Sequence, residues 1–113
     1  MPKSRQQHIR VREGGGATRV TLAEPILDEQ NREALTDQIL ATIEGSAEPQ
    51  LVLDFEPVLF ISSAGLSALI QLHQQMQARG GTLRLCNLRP DVYQVFEATG
   101  LREILDVHAG PLP

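Results

Sequence analysis

The sequence predicts an α/β domain, a mixed sheet of about five strands with helices packed on it. The chain has 113 residues, a length typical of one domain. Some segments alternate apolar and polar residues, which is the period of a strand. Others repeat apolar residues every three or four positions, which is the period of a helix. We therefore expect a single domain over residues 1–113, with frayed ends at 1–6 and 110–113.

The first two strands are predicted on either side of a glycine cluster. Apolar and polar residues alternate in Gln7–Arg12 and again in Thr18–Leu22, and Gly14-Gly15-Gly16 separates the two runs. This arrangement is typical of a β-hairpin. A glycine cluster also occurs in phosphate-binding loops, but the lysine and the following helix of such a loop are missing here.

A helix and a buried strand are predicted next. Apolar residues recur every four positions in Glu29–Glu44, as on one face of a helix. Asp28 is placed to be its N-cap, and Gly45 suits its C-terminal end. The run Leu51–Phe55 is almost continuously apolar, which is typical of a strand covered on both faces and indicates a parallel sheet flanked by helices.

The second half of the chain repeats the alternation of helix and strand. A helix is predicted over Ser62–Ala78 and a strand over Thr82–Leu88, which closes a strand–helix–strand unit onto a parallel pair. A third helix is expected to begin at Pro90 and to end at Gly100. The segment Glu103–Val107 is expected to supply a last short strand.

The charge balance limits the classes of partner. Lysine and arginine total 10, and aspartate and glutamate total 14, so the net charge is −4. A surface that reads nucleic acid needs a basic patch, and we expect no nucleic-acid partner. No apolar run approaches the roughly 18 residues of a membrane span, and residues 1–12 show no export signal. We therefore expect a cytoplasmic protein without direct membrane insertion.

Cysteine and histidine are too sparse to predict a metal centre or a catalytic pair. The single cysteine, Cys86, excludes an internal disulfide and a cysteine-based zinc site, and we expect it to be a small core residue. His73 lies on the same predicted helix as Ser63, roughly 15 Å away at 1.5 Å per residue. The pattern around Ser63 also lacks the first glycine of a hydrolase nucleophile turn. No catalytic residue, metal or cofactor is expected.

The informative segment is Val58–Leu66, where an apolar run ends at two serines and a helix begins. Ser62 or Ser63 is placed to cap that helix by accepting a hydrogen bond from an N–H group of its first turn. Gly65 lies inside the first turn at a cost in helix propensity, so we expect another group to approach the backbone closely there. The segment is either a capping serine with a packing glycine, or a serine that carries a phosphoryl group at the positive end of a helix.

The residues Phe60-Ile61-Ser62-Ser63-Ala64-Gly65-Leu66 resemble the Asp-Ser-Ser/Thr-Gly-Leu motif of the STAS domains, specifically of the bacterial anti-sigma-factor antagonists. The resemblance covers nearly the whole chain. It continues through the Leu27-Asp28 pair, Ala78–Cys86, Pro90, Val95-Phe96 and Thr99-Gly100-Leu101. It implies a STAS-like α/β sandwich and a regulatory binding module without catalytic activity.

The resemblance also implies a role for each residue of the motif. Ser62 stands at the position of the aspartate, Ser63 at the phosphoacceptor, Ala64 at the second hydroxyl residue and Gly65 at the glycine. In the family, the unphosphorylated antagonist binds an anti-sigma factor that is also an ATPase-fold serine kinase, and so frees the sigma factor. Phosphorylation reverses this binding, and a PP2C-type phosphatase resets the protein. Partner switching at Ser63 is therefore implied, with Ser62 in place of the motif's carboxylate.

A partner-binding surface is expected around Ser63. A phosphoryl group there adds about −1.5 to −2 charge, which would disrupt any partner packed on that surface. We expect the surface to combine the first helical turn, the loop before it and the Leu27-Asp28 turn. Its predicted residues are Asp28, Leu59, Phe60, Ser62, Gly65, Leu66 and Ser67.

A second role within the same family remains open. The resemblance is also compatible with a non-phosphorylated scaffold, such as the small cytoplasmic subunit of a lipid-transporting ABC system or a component of a sensory complex. The two roles differ in one observable property, because only the switch requires a kinase to transfer phosphate to Ser63.

Overall fold

The computed structural model describes residues 8–47 and 50–112. In these residues the elements are β1 (Ile9–Gly14), β2 (Ala17–Leu22), β3 (Ile26–Leu27), α1 (Arg32–Glu44), β4 (Gln50–Asp54), β5 (Phe60–Ile61), α2 (Ser63–Ala78), β6 (Thr82–Cys86), α3 (Pro90–Thr99) and β7 (Asp106–Val107). The main sheet has the order β1-β2-β4-β6-β7, and β3 and β5 form a separate pair. The predicted mixed sheet of about five strands with helices packed on it is confirmed.

The predicted hairpin is confirmed as the pair β1 and β2, which run antiparallel with Gly14 opposite Ala17. Gly15 and Gly16 form the two-residue turn, and their φ angles are +64° and +84°. A turn of this length matches the twist of the strands when both residues have positive φ, which glycine adopts without steric cost. The predicted start of the first strand at Gln7 lies outside the described residues.

The central strand β4 is parallel to both β2 and β6, but the prediction that helices flank both faces of the sheet is wrong. Leu51 and Leu53 join the single core to which all three helices contribute, whereas Val52 points to the opposite face. Val52 is nonetheless only 4% exposed. Its cross-strand neighbours are Arg19 and Arg84, and the aliphatic stems of arginines can cover an apolar residue while their charged ends stay in water.

Helix α1 begins at Arg32, so the predicted start at Glu29 with Asp28 as N-cap is wrong. The carbonyl of Asp28 accepts a hydrogen bond from the N–H of Arg32 at 3.0 Å. The Asp28 carboxylate accepts another from the N–H of Gln30 at 3.0 Å, and the Asn31 side chain accepts one from the N–H of Asp28 at 3.1 Å. These side chains stabilise a separate turn, which occupies the residues that were assigned to the helix.

The predicted C-terminal ends of two helices agree with the structure better than the predicted start of α1 does. Gly45 follows α1 and Gly100 follows α3, as predicted. Of the two, only Gly100 has a left-handed backbone, with a φ of +78°. Residues with a side chain avoid this conformation, so glycine is favoured at this helix end. Pro90 occupies the start of α3, where its missing N–H would have no helical partner.

Two strands are shorter than predicted. Strand β6 ends at Cys86 because Asn87 has a φ of +59°, a conformation that asparagine tolerates but a strand does not. Strand β7 contains only Asp106 and Val107, since a 3₁₀ turn over Leu101–Glu103 takes the start of the predicted segment.

Cys86 is fully buried, as predicted, although it lies on the sheet face away from the helices with Arg19 and Asp54. The guanidinium of Arg19 donates a hydrogen bond to its sulfur at 3.5 Å. Burial raises the pKa of the Cys86 thiol above its ordinary value of 9.0, the Asp54 carboxylate raises the pKa further, and Arg19 opposes both effects. The thiol is therefore held in its neutral form.

The C-terminal segment is attached to the rest of the structure as far as it is described. The carbonyl of Gly110 accepts a hydrogen bond from the N–H of Asn87 at 3.0 Å, and the N–H of His108 donates to the carbonyl of Leu85 at 2.9 Å. The predicted frayed end therefore begins after Gly110, at the earliest. The predicted frayed residues 1–6 lie outside the described part of the chain.

Candidate functional site

The segment before α2 is fixed at the carboxyl edge of the parallel strands, where sheets of this type usually place their functional groups. Ile26 pairs with Phe60, and Leu27 pairs with Ile61, in the short parallel sheet β3–β5. The N–H of Ser62 then donates a hydrogen bond to the carbonyl of Leu27 at 2.9 Å. These contacts set the position at which α2 starts.

Ser62 is the N-cap of α2. Its backbone is extended, with φ −90° and ψ 175°, and its hydroxyl oxygen accepts a hydrogen bond from the N–H of Gly65 at 3.3 Å. Serine and aspartate cap helices about equally well. Ser62 therefore keeps the hydrogen bond that the motif's aspartate could make and lacks only its charge.

Ser63 is the first residue of α2, and its side chain is exposed. Within the described residues, its hydroxyl has no hydrogen-bond partner, and the first turn of α2 contains no acidic residue. The N-terminal end of a helix carries a partial positive charge and N–H groups without helical partners. A negative charge placed at this position would be favoured by the helix end.

Gly65 explains why the helix can start so close to the small sheet. A Cβ atom at this position would lie 2.7 Å from Ile61 Cγ1 and 3.0 Å from the carbonyl oxygen of Leu27. The close approach expected from the sequence is therefore made by β3 and β5 of the same chain. Leu66, which is 9% exposed, belongs to the core. Gly65 and Leu66 lie beneath the surface and position Ser63 rather than offering side chains to a partner.

Three large apolar side chains are exposed beside Ser63: Ile26 is 45% exposed, Leu59 56% and Phe60 55%. We call these three residues the apolar patch. Leu59 and Phe60 were expected at the surface from the sequence, but Ile26 was not. Its position follows from pairing, because in the parallel pair β3–β5 the residue opposite Phe60 shares its face. No sequence signal marks a strand of two residues.

The remaining predicted surface residues flank Ser63 on two sides. Ser67 is exposed one turn further along α2, and residues four apart lie on the same face of a helix. Asp28 is half-buried directly after β3, where its carboxylate is held by the N–H of Gln30. The surface around Ser63 thus contains Asp28, Leu59, Phe60, Ser62 and Ser67 of the predicted set, and Ile26 in addition.

The histidines are engaged elsewhere or lie apart from Ser63. His8 Nδ1 lies 2.7 Å from Glu24 Oε2, and His108 Nε2 lies 2.7 Å from Asp106 Oδ1. His73 is half-buried on α2, and no hydrogen bond joins any of the three to the Ser63 hydroxyl. The structure therefore provides no serine–histidine pair at this site.

Neither a metal site nor a membrane span is found in the described residues. Residues 8–47 and 50–112 contain no group of three histidine, cysteine, aspartate or glutamate side chains that could hold a metal ion. Over the same ranges, the helices are too short or too polar to span a bilayer.

Known proteins share both the sequence pattern and the fold. The STAS domain model matches residues 8–110. BtrV of Bordetella bronchiseptica, named as an anti-sigma factor antagonist, is 34% identical over 82 residues, which cover 73% of this chain and 70% of BtrV. The anti-sigma-B factor antagonist of Bacillus subtilis is 26% identical over 83 residues, which cover 74% of each chain.

Among solved structures, the unphosphorylated form of the anti-sigma factor antagonist SpoIIAA matches with a TM-score of 0.71 at 22% identity, over 88% of this chain and 86% of SpoIIAA. The phosphorylated form of SpoIIAA from Bacillus matches with a TM-score of 0.64 at 21% identity, over 88% and 89%. These likenesses show a shared fold. Because the family model spans almost the whole described chain, this protein belongs to the STAS domain family.

Proposed function

We propose that this chain is an anti-sigma-factor antagonist that acts by partner switching. It binds an anti-sigma factor while Ser63 carries a free hydroxyl, and it releases that partner once Ser63 is phosphorylated. The observation that carries the proposal is the exposed Ser63 hydroxyl, which lies at the start of α2 beside the apolar patch. The names of its relatives support the class of partner.

Binding would be driven by the apolar patch. Ile26, Leu59 and Phe60 are each roughly half exposed, and removing such surface from water contributes about 25 cal/mol for each Å² buried. Aromatic residues often carry most of the energy of an interface, so Phe60 is the expected anchor. An open hollow of about 430 Å³ is lined by Ile26 of the apolar patch and by His8, Glu24 and Asn31. It can receive a side chain of the partner.

Release would follow from the charge that phosphorylation adds. The Ser63 oxygen attacks the γ-phosphorus of ATP, the bond to the β,γ-bridging oxygen breaks, ADP leaves and the hydroxyl proton passes to a base of the kinase. The product carries about −1.5 to −2 charge. In the free protein the start of α2 favours this charge. In the complex the charge would be taken from water against apolar surface, which is costly.

The proposal assigns catalysis to the partners and not to this chain. The anti-sigma factor would be an ATPase-fold serine kinase, and a PP2C-type phosphatase would restore the hydroxyl. This chain would supply the acceptor and the docking surface without acting as an enzyme. Its place of action would be the cytoplasm, where the sigma factor and ATP are present.

Phosphate mapping tests the switch. The protein is incubated with ATP and each ATPase-type serine kinase of its source, and the product is mapped by mass spectrometry. We expect phosphate on Ser63, none in Ser63→Ala, and normal transfer to the matched control Ser67→Ala, which changes an exposed serine of the same helix face. If no kinase transfers phosphate, the non-phosphorylated scaffold becomes the better assignment.

Calorimetry with the kinase tests docking. Ser63→Asp should bind more weakly than Ser63→Ala, because it places a charge at the contact; equal affinities would contradict the electrostatic switch. Phe60→Ala should weaken binding by at least about tenfold, the cost expected of an aromatic anchor. Ile104→Ala is a matched control, since Ile104 and Phe60 are both 55% exposed, and it should leave binding unchanged.

A further inference from the structure

The first strand leaves one edge of the main sheet open. Strand β1 lies at one end of the sheet order, and every residue of it after Ile9 is exposed. In the described part of the chain, no further strand pairs with this edge. An open edge presents unpaired N–H and C=O groups and can pair with another chain.

Three arginines concentrate positive charge along this edge. Arg12 lies directly opposite Arg19 in the antiparallel register, and Arg10 is two residues from Arg12 on the same face. Like charges placed directly opposite each other destabilise a strand pair. Neither Arg10 nor Arg12 has an ion-pair partner among the described residues. We call Arg10, Arg12 and Arg19 the edge arginines. They gather positive charge at one edge of a protein whose net charge is −4.

Among the edge arginines, Arg19 forms an ion pair with Asp54, whereas Arg10 and Arg12 have no acidic partner among the described residues. Asp54 Oδ2 lies 3.7 Å from Arg19, while Asp54 Oδ1 accepts hydrogen bonds from the N–H of Glu56 and from the Asn87 side chain. An open hollow of about 900 Å³ separates Arg10 and Arg12 from Glu56. The hollow lies over the sheet face away from the helices, and Arg10 and Arg12 line it on the side of the strand edge.

The direction of the backbone groups is fixed by one hydrogen bond. The N–H of Ala23 donates to the carbonyl of His8 at 2.9 Å, so His8 faces the partner strand. Backbone groups of an antiparallel strand alternate between its two sides. The N–H and C=O groups of Ile9, Val11 and Glu13 therefore point to the free edge.

We propose that the β1 edge binds an extended acidic segment of a partner protein, which adds a strand to the sheet. Carboxylates on the arginine side would pair with Arg10 and Arg12, and an apolar residue between them would cover Val11, which is 46% exposed. A second copy of this chain fits poorly, because antiparallel pairing centred on Val11 places Arg10 against Arg12. The proposal does not depend on Ser63, which lies on the side of the helices.

Peptide binding tests the charge requirement. A fluorescent peptide of alternating glutamate and valine is titrated with the protein, and a lysine–valine peptide is the control. We expect binding of the acidic peptide only. Arg12→Glu should weaken binding by about tenfold, since it replaces an attraction with a repulsion. This variant also removes the Arg12–Arg19 repulsion, so it should fold at least as well. Arg32→Glu makes the same charge change on α1 and should bind as the wild type does.

A second variant tests strand addition. Val11→Pro removes an N–H that points to the free edge and leaves the bonds to β2 intact, and proline is tolerated at such edge positions. It should abolish peptide binding without unfolding the hairpin. Hydrogen exchange supplies an independent readout, because the amides of Val11 and Glu13 should exchange more slowly when the peptide is bound.

Three results would overturn the proposal. If Val11→Pro binds the peptide normally, the arginines attract anions without adding a strand. If a single-stranded oligonucleotide displaces the peptide and binds Val11→Pro equally well, the edge serves nucleic acid instead. If sedimentation shows a dimer that Val11→Pro dissociates, the occupant is a second copy of the chain.

Discussion

Helices α1 and α2 start differently, although each follows a strand of the same small sheet. Before α1, the carboxylate of Asp28 holds a turn, and Glu33 adds an acidic side chain to the first helical turn. Before α2, a neutral hydroxyl of Ser62 caps the helix, and the first turn contains no acid. The chain itself supplies negative charge to the positive end of α1. The first turn of α2 supplies none of its own.

The third residues of the two helices differ in the same way. Ala34 in α1 is exposed, whereas Gly65 in α2 is buried against Leu27 and Ile61. The start of α1 therefore faces water, follows the turn that Asp28 stabilises, and has no side-chain cap. The start of α2 is pressed onto the small sheet and presents Ser63 outward. Of these two helices, α2 is the one whose first residue is an exposed hydroxyl without an acidic side chain in the same turn.

The largest expected change in stability distinguishes Gly65 of α2 from Ala34 of α1. Gly65→Ala should lower the free energy of unfolding by about 1–3 kcal/mol, because the new methyl group overpacks the contact with Leu27 and Ile61. The reverse change in α1, Ala34→Gly, should cost about 0.5–1 kcal/mol through helix propensity alone. Urea unfolding measures both. Equal losses would mean that the contact at Gly65 relaxes without strain.

The next effect concerns the cap. Ser62→Ala should cost about 1 kcal/mol, since the N–H of Gly65 loses its acceptor, while Ser62→Asn should be nearly neutral. Ser62→Asp keeps the cap and restores the charge of the family motif, so it should be phosphorylated at Ser63 faster than Ser62→Asn. If the two variants react at the same rate, the replacement of the motif's aspartate is neutral for the kinase.

The smallest effect tests the difference in charge directly. Ser63→Asp should raise the free energy of unfolding by about 0.3–1 kcal/mol, because it adds an anion at the start of α2. Glu33→Gln should lower it by a similar amount at the start of α1. Both changes should shrink in high salt, which screens exposed charges. A loss of stability in Ser63→Asp at low salt would show that the helix end does not favour the charge.

Local rules predicted the elements whose ends are set by single residues. The hairpin turn at Gly15-Gly16 and the third helix between Pro90 and Gly100 follow from backbone restrictions that glycine and proline carry anywhere. The same kind of local rule predicted that a serine at this position caps the helix and that another group approaches the backbone at Gly65. The sequence could not say that the close neighbour of Gly65 is Leu27, because that contact depends on the tertiary fold.

Long-range pairing produced the features that the sequence did not show. Ile26 is exposed because a two-residue strand pairs it with Phe60, and two residues are too few to display a period. Helix α1 starts late because the side chains of Asp28 and Asn31 form a turn that competes with the helix. Val52 is buried between two cross-strand arginines, and the pattern of its own strand cannot reveal these neighbours.

The close packing of Gly65 against Leu27 and Ile61 affects how phosphorylation of Ser63 would be sensed by a partner. A helix packed this closely against Leu27 and Ile61 at its third residue is expected to keep its position when its first residue is phosphorylated. The backbone should therefore be the same in both states, and a partner would sense an altered electric field on an unchanged shape. Rearrangement, where the response requires any, would then fall to the protein that reads the mark.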